Sequence, residues 1–146
     1  MSLALAIHEN DFYGWITQQT DLLKLGRYNE LDIENLIEEM EGMGKSEKRA
    51  LESRLIVLLQ HLLKWQHQPN FRGKSWELTI KEQRLRIDKI IRDNPSLKRQ
   101  LEFCFFDAYP FAVLQAAKET GLDEKIFPNQ CEWNLQQVLD TQFFPI

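Results

Sequence analysis

From Asp11 to about Thr120, apolar residues recur at steps of three and four, the spacing of one face of an α-helix. The first run, "DFYGWITQQTDLLKLGRY", places Phe12, Trp15 or Ile16, Gln19, and Leu22 or Leu23 on one side. Asp11 is suited to cap it and Gly26 to end it. A second run starts at Asp32, another good N-cap. Its inward positions are Ile33, Ile37, Met40, Gly44, Glu47, Leu51, Leu55, Leu58, Leu62 and Trp65, and every step is three or four. The phase passes Gly42 and Gly44 without a slip, which predicts one long second helix over about residues 32–68, ending before Pro69. At 1.5 Å per residue such a helix is roughly 50 Å long. A break into two helices at "GMG" is the rival reading. Two interior glycines cost about 1 kcal/mol each against alanine, and the expected return is close approach of another backbone at Gly44.

The two halves of this run differ. Before residue 53 the apolar residues form one stripe among charges. In "LIVLLQHLLKW", Leu55 to Trp65, they point almost all round. A helix apolar on every side lies inside a bundle or in a subunit interface. "HQPNFRGKSW" then reads as a loop. A third helix follows from about Ser75, its N-cap, to Asp93, with a thin stripe of Trp76, Ile80, Ile87 and Ile90 or Ile91 that Gln83 and Arg84 interrupt. Asn94 and Pro95 fit the N-cap and N1 of a fourth helix. That helix turns Leu97, Leu101, Cys104, Phe105, Ala108 and Ala112 to one face, ends at Gly121, and should kink at Pro110. The tail offers one short helix near Trp133 to Asp140. The expected fold class is therefore all-α, a single-domain helical bundle over residues 1–146 built around the long second helix.

Composition narrows the function classes. At 146 residues, 43% hydrophobic and 11% aromatic, the chain can bury a core of its own. Its longest apolar run, "LIVLL", is far short of the roughly 20 residues a bilayer requires. The N-terminal "MSLALAIHENDF" lacks a basic start and a cleavage site and does not read as a signal peptide. Two cysteines, Cys104 and Cys131, fit cytosolic free thiols better than a disulfide framework. The net charge of −4 hides blocks. Residues 29–52 carry a net −5, residues 72–99 a net +5, and residues 100–146 a net −5. Such alternation suggests that one helix neutralises another; a nucleic-acid protein would be basic as a whole.

In order along the chain, "DFYGW", "LDIENLIEEMEGMGKSEKRALESRL", "HLLKWQHQP", "SWELTIKEQR", "NPSLK" and the pattern "ETGL…FP…CEW…L" resemble the bacterial family called domain of unknown function 29, frequent in cyanobacteria. The resemblance extends from Asp11 to Pro145. It implies an all-helical fold in a bacterial cytosolic protein. It supplies no reaction, because the family has none assigned.

Candidate chemistry concentrates in two places. Glu34, Glu38 and Glu41 share a helix face at i, i+4 and i+7, and Glu41 with Lys45 makes a favourable i,i+4 pair. These acids are either a solvated charged face or weak candidates for holding Mg²⁺. Helical nucleotide hydrolases resemble an EExxE pattern with a later ExxD, but no ExxD occurs here, and the Glu-x-x-His of a di-iron bundle is absent too. The second place is Glu47, set inside the apolar stripe, where an unpaired carboxylate would cost several kcal/mol. Arg54 and His61 follow at two-turn intervals, and Gln83 and Arg84 interrupt the third stripe. The expectation is a network of Glu47, Arg54, His61, Gln83 and Arg84, with Arg84 as the first partner of Glu47. It is either a buried structural network or the lining of a ligand pocket. His61 and His67 lie six residues apart, turned about 120° from each other, and cannot share a metal from one helix. The basic face of Lys81, Arg84, Arg86, Lys89 and Arg92 could meet phosphates, but such a face more often pairs with acids of its own protein.

The sequence thus points to a non-catalytic helical interaction or assembly protein of the cytoplasm. A homodimer, or a complex with another protein, is expected from the all-round apolar half of the second helix. No cofactor is called for, and neither nucleic acid nor membrane is an expected partner. The alternative is a metal- or nucleotide-dependent hydrolase using Glu47, Arg54, His61 and Arg84.

Overall fold

The computed structural model describes residues 8–146, and among them every regular element is helical. The helices are α1 (Phe12–Lys24), α2 (Ile33–His67), α3 (Lys74–Asp93), α4 (Leu101–Thr120) and α5 (Leu135–Leu139), with short 3₁₀ turns between them. The reading of the extreme N-terminus against a signal peptide falls largely on residues 1–7, outside the described residues. None of the described helices is long and apolar enough to cross a membrane. The chain divides into two compact units, Met1–Lys45 and Ser46–Ile146. The 35-residue α2 belongs to both and runs unbroken through Gly42 and Gly44.

In the first unit α1 begins where Asp11 accepts a 3.0 Å bond from the Gly14 N–H. It ends as the sequence predicts, at Gly26. That residue takes φ +72°, and the Gly26 and Arg27 amides donate back to the Leu23 and Leu22 carbonyls at 3.1 and 2.9 Å, a Schellman closure. Trp15 and Gln19 are the buried residues of α1. Both reach Asp32 at the head of α2: the Trp15 indole donates to its carboxylate at 3.0 Å, and its own N–H donates to the Gln19 side chain at 2.8 Å. Asn35 donates to the same carboxylate at 2.8 Å. His8 lies 3.2 Å from Glu39 and stands edge-on to Trp15.

These bonds fasten α1 to the side of α2 that carries Asp32, Asn35 and Glu39, next to the apolar stripe and not on it. The expected inward set of this half is therefore corrected. Ile33, Ile37, Met40, Gly44 and Glu47 are exposed, as are Phe12 and Leu23. A Cβ added at Gly42 or Gly44 would meet no atom within 4 Å, so the close backbone approach expected at Gly44 does not occur among the described residues.

The second unit holds one continuous core. From Leu51 onward the stripe is covered: Leu51, Leu55, Leu58, Leu59, Leu62 and Leu63 are buried with Ile80 and Ile87 of α3. Leu101, Cys104, Ala108, Ala112 and Ala116 of α4 join them, as do Phe127, Trp133 and Val138 of the tail. The N-cap of α3 falls two residues earlier than expected. Arg72 donates to the Trp65 carbonyl at 2.7 Å and lies over the Trp65 ring, so the turn falls on Gly73, and Ser75 lies inside the helix without capping it. Asn94 turns its amide back to the Ile90 carbonyl (3.0 Å) and so closes α3; Pro95 opens six residues of 3₁₀ helix before α4. α4 runs through Pro110 and closes at Gly121, φ +77°. In α5, Asn134 and Gln137 form a reciprocal capping box.

Candidate functional site

The expected polar line does not assemble. Glu47 is exposed and, among the described residues, makes no side-chain hydrogen bond or ion pair. Arg84 is only 4% exposed, but its partners are main-chain carbonyls. Nε donates to Val138 and Nη2 to Phe143, each at 2.8 Å, and the guanidinium lies 5.5 Å from the Phe144 ring. The expected Glu47–Arg84 pair is thus corrected, for a physical reason. The chain from Val138 to Phe143 leaves the short α5 helix, and its carbonyls have no helical donor. A buried guanidinium supplies the missing donors. Burial pulls the Arg84 pKa below its ordinary value, while Asp140 nearby pulls the other way. Gln83 is buried beside Arg84 on α3 with Oε1 unpartnered; Arg54 is half-buried and makes no side-chain bond among the described residues.

His61 has a different neighbourhood. Its Nδ1 donates to the Val57 carbonyl at 2.9 Å. One turn on, Lys64 is 7% exposed. Its ammonium donates to Glu119 of α4 at 2.6 Å and lies 4.7 Å from the centre of the Trp76 ring of α3. The Lys64 hydrogen bond holds the Glu119 carboxyl below its usual range against the opposing effect of burial, with smaller help from Gln60 and His61. Burial pushes the His61 imidazole down; Lys64 pushes the same way and Glu119 opposes. One ammonium therefore joins α2, α3 and α4. Sequence reasoning missed this cluster. The signal was the set Gln60, His61 and Lys64 within a run otherwise apolar on every side.

Glu34, Glu38 and Glu41 are exposed and have no ion-pair partner among the described residues, and the expected Glu41–Lys45 pair is not formed. Among the described residues no group of three or more His, Cys, Asp or Glu side chains is placed to hold a metal ion. The charges of α3 behave differently. Lys81 pairs with Glu77, Arg86 with Glu82, Lys89 with Asp93 and Arg92 with Asp88, all at i,i+4. Four cations of the basic segment thus pair with acids of their own helix.

Two exposed apolar faces remain, one in each unit. On α2 the first-unit stripe shows Ile33, Ile37, Met40 and Met43 to solvent. On α4, opposite its small-residue face, Phe103, Phe106, Phe111 and Leu114 are exposed. Cavities of about 410 and 450 Å³ flank Tyr109 and Pro110 there. The Tyr109 hydroxyl donates to the Pro128 carbonyl at 2.7 Å, and burial pushes its pKa up to about 12, so it is a tie to the tail and not an acid–base group near neutral pH.

Polar side chains that fasten the protein's own helices, and apolar side chains of α2 and α4 left exposed, define a class: an all-α protein. The chain belongs to the family Domain of unknown function DUF29, whose model matches residues 7–144. No curated protein and no solved structure matches it.

Proposed function

We propose that the chain is a non-catalytic assembly protein that acts in the cytoplasm as a homodimer. The observation that carries this reading is the bare stripe of α2. Ile33, Ile37 and Met40 are 52, 51 and 65% exposed, yet they continue the phase of Leu51, Leu55, Leu58 and Leu62, which are fully buried. A stripe covered along half its length and bare along the rest is a surface shaped for a second body, since contiguous exposed apolar patches mark interaction sites. The hydrolase alternative finds no observation in its favour: Glu47 stands in solvent and Arg84 is held by carbonyls.

Sedimentation equilibrium over roughly a hundredfold range of protein concentration tests the reading. The expected mass rises to twice the 17.4 kDa of the chain. A mass that stays at one chain throughout overturns it. A thermal-shift screen with divalent metals and nucleotides is expected to be flat, and a selective rise of several degrees would favour the hydrolase.

A further inference from the structure

We infer that the cavity between Arg84 and Lys98, in the second unit, binds a small monocarboxylate with a short apolar tail. The inference goes beyond the assembly reading and does not rest on it. It starts from a buried charge. Arg84 is 4% exposed, and buried charges in proteins are paired or bound to a metal. Among the described residues no carboxylate bonds this guanidinium. Nε and Nη2 donate to the Val138 and Phe143 carbonyls, and Nη1 is buried without a partner. Asp140 lies near enough to act on Arg84 through space, but its carboxylate accepts the Gln142 amide at 2.9 Å. Carbonyls satisfy donors and leave the positive charge without a counter-ion.

Arg84 lines two cavities, of about 280 and 220 Å³. The charges around them decide between the two. In the smaller, the second cation, Lys81, is closed on Glu77 at 3.4 Å. In the larger, Lys98 is exposed and makes no ion pair among the described residues. The acid that lines the larger cavity, Asp88, is closed on Arg92 at 2.9 Å. That cavity therefore keeps two uncompensated cations, one buried and one at its rim, and selects an anion.

The rest of the lining selects the kind of anion. Ile87, Ile91, Leu101 and Leu139 supply an aliphatic wall. Arg84, Ile87 and Ile91 stand at i, i+3 and i+7 on one face of α3, so head and tail contacts come from a single rigid element. A hydrated inorganic anion gains nothing from such a wall, whereas an alkyl carboxylate uses both parts. The planar fork of arginine suits a carboxylate, and Nη1 is the donor left for it. The volume falls below the roughly 300–1,000 Å³ of drug-sized pockets, so the tail is short.

Titrating hexanoate into the full chain, followed by ¹H–¹⁵N NMR, tests the site. Saturable shifts are expected at the amides of Ile91, Lys98, Leu101 and Leu139 and at the Arg84 Nε–H. Butanoate, two methylenes shorter, is expected to bind about tenfold more weakly. Hexan-1-ol and inorganic phosphate are expected to leave these resonances in place. Lys98→Gln, at an exposed position, is expected to raise the hexanoate Kd about fivefold with the rest of the spectrum unchanged; Lys98→Arg should stay near the parent value. A spectrum indifferent to hexanoate overturns the inference. Hexan-1-ol or phosphate binding as tightly as hexanoate overturns the ligand class. An unmoved Arg84 Nε–H, or a Lys98→Gln chain with parent affinity, overturns the assignment of the carboxylate to these two cations.

Discussion

Replacing Glu119 by alanine isolates the one ammonium that joins three helices. The Lys64 side chain is 9% exposed and that of Glu119 is 46% exposed. Without Glu119 the Lys64 charge keeps only the face of Trp76. Removing one partner of a fully buried pair costs roughly 3–5 kcal/mol. Glu119 is close to half exposed, so solvent screens part of the interaction, and the expected loss is about 2 kcal/mol. Lys64→Met keeps the packed stem and removes the charge, leaving Glu119 to water, so it should cost less, about 1 kcal/mol or under. The double variant should match Lys64→Met alone, which makes the pair strongly non-additive. Urea unfolding followed by tryptophan fluorescence at fixed protein concentration measures all four corners. The pH dependence supplies a second check. Because the Glu119 pKa is depressed in the folded chain, its stabilisation is fully present above the ordinary glutamate range and is lost as pH falls through the folded value. The gap between parent and Glu119→Gln should therefore close below about pH 4. A Glu119→Ala chain within about 0.5 kcal/mol of the parent at pH 7, or a Lys64→Met that costs more than Glu119→Ala, would refute the reasoning.

Other consequences follow from the same geometry. Arg84→Ala removes donors from two carbonyls and should cost about 3 kcal/mol, with residues 138–146 becoming protease-sensitive; Arg84→Lys should recover little, since an ammonium cannot reproduce the two-point contact. Burial lowers the His61 and His67 pKa values, so the unfolded chain takes protons first, and stability should fall as pH drops through about 6.5; His61→Gln should reduce that slope and leave the share due to His67. Gly44→Ala should stabilise the monomer by about 1 kcal/mol in urea unfolding at low protein concentration, because its Cβ meets no atom within 4 Å. Phe106→Ser, at a position 77% exposed, should leave unfolding within about 0.5 kcal/mol of the parent.

Much of the fold was legible because helix phase is a local property. The steps from Leu51 through Leu55 and Leu58 to Leu62 identify a buried face, and these residues are buried. Asp11, Gly26 and Gly121 punctuate as their chemistry requires. Phase is silent on where along a helix the cover stops. Ile37 and Leu51 occupy the same side of α2, yet one is half exposed and the other fully buried. That difference depends on the lengths and landing points of other helices, which are not written in α2. Partners were illegible for a related reason. Arg84 breaks an apolar rhythm, and its burial follows from that. Its acceptors are backbone carbonyls, which every residue possesses, and no residue type at 138 or 143 announces them. Lys64 and Glu119 are 55 positions apart, and only the fold of α4 selects that acid among its neighbours. An in-phase polar side chain therefore predicts burial only where a covering helix also lands. Glu47 lies in phase but beside the bare half of the stripe, and this restricts whatever covers Ile37 and Met40. That body must either bring a cation to Glu47 or leave its carboxylate in water.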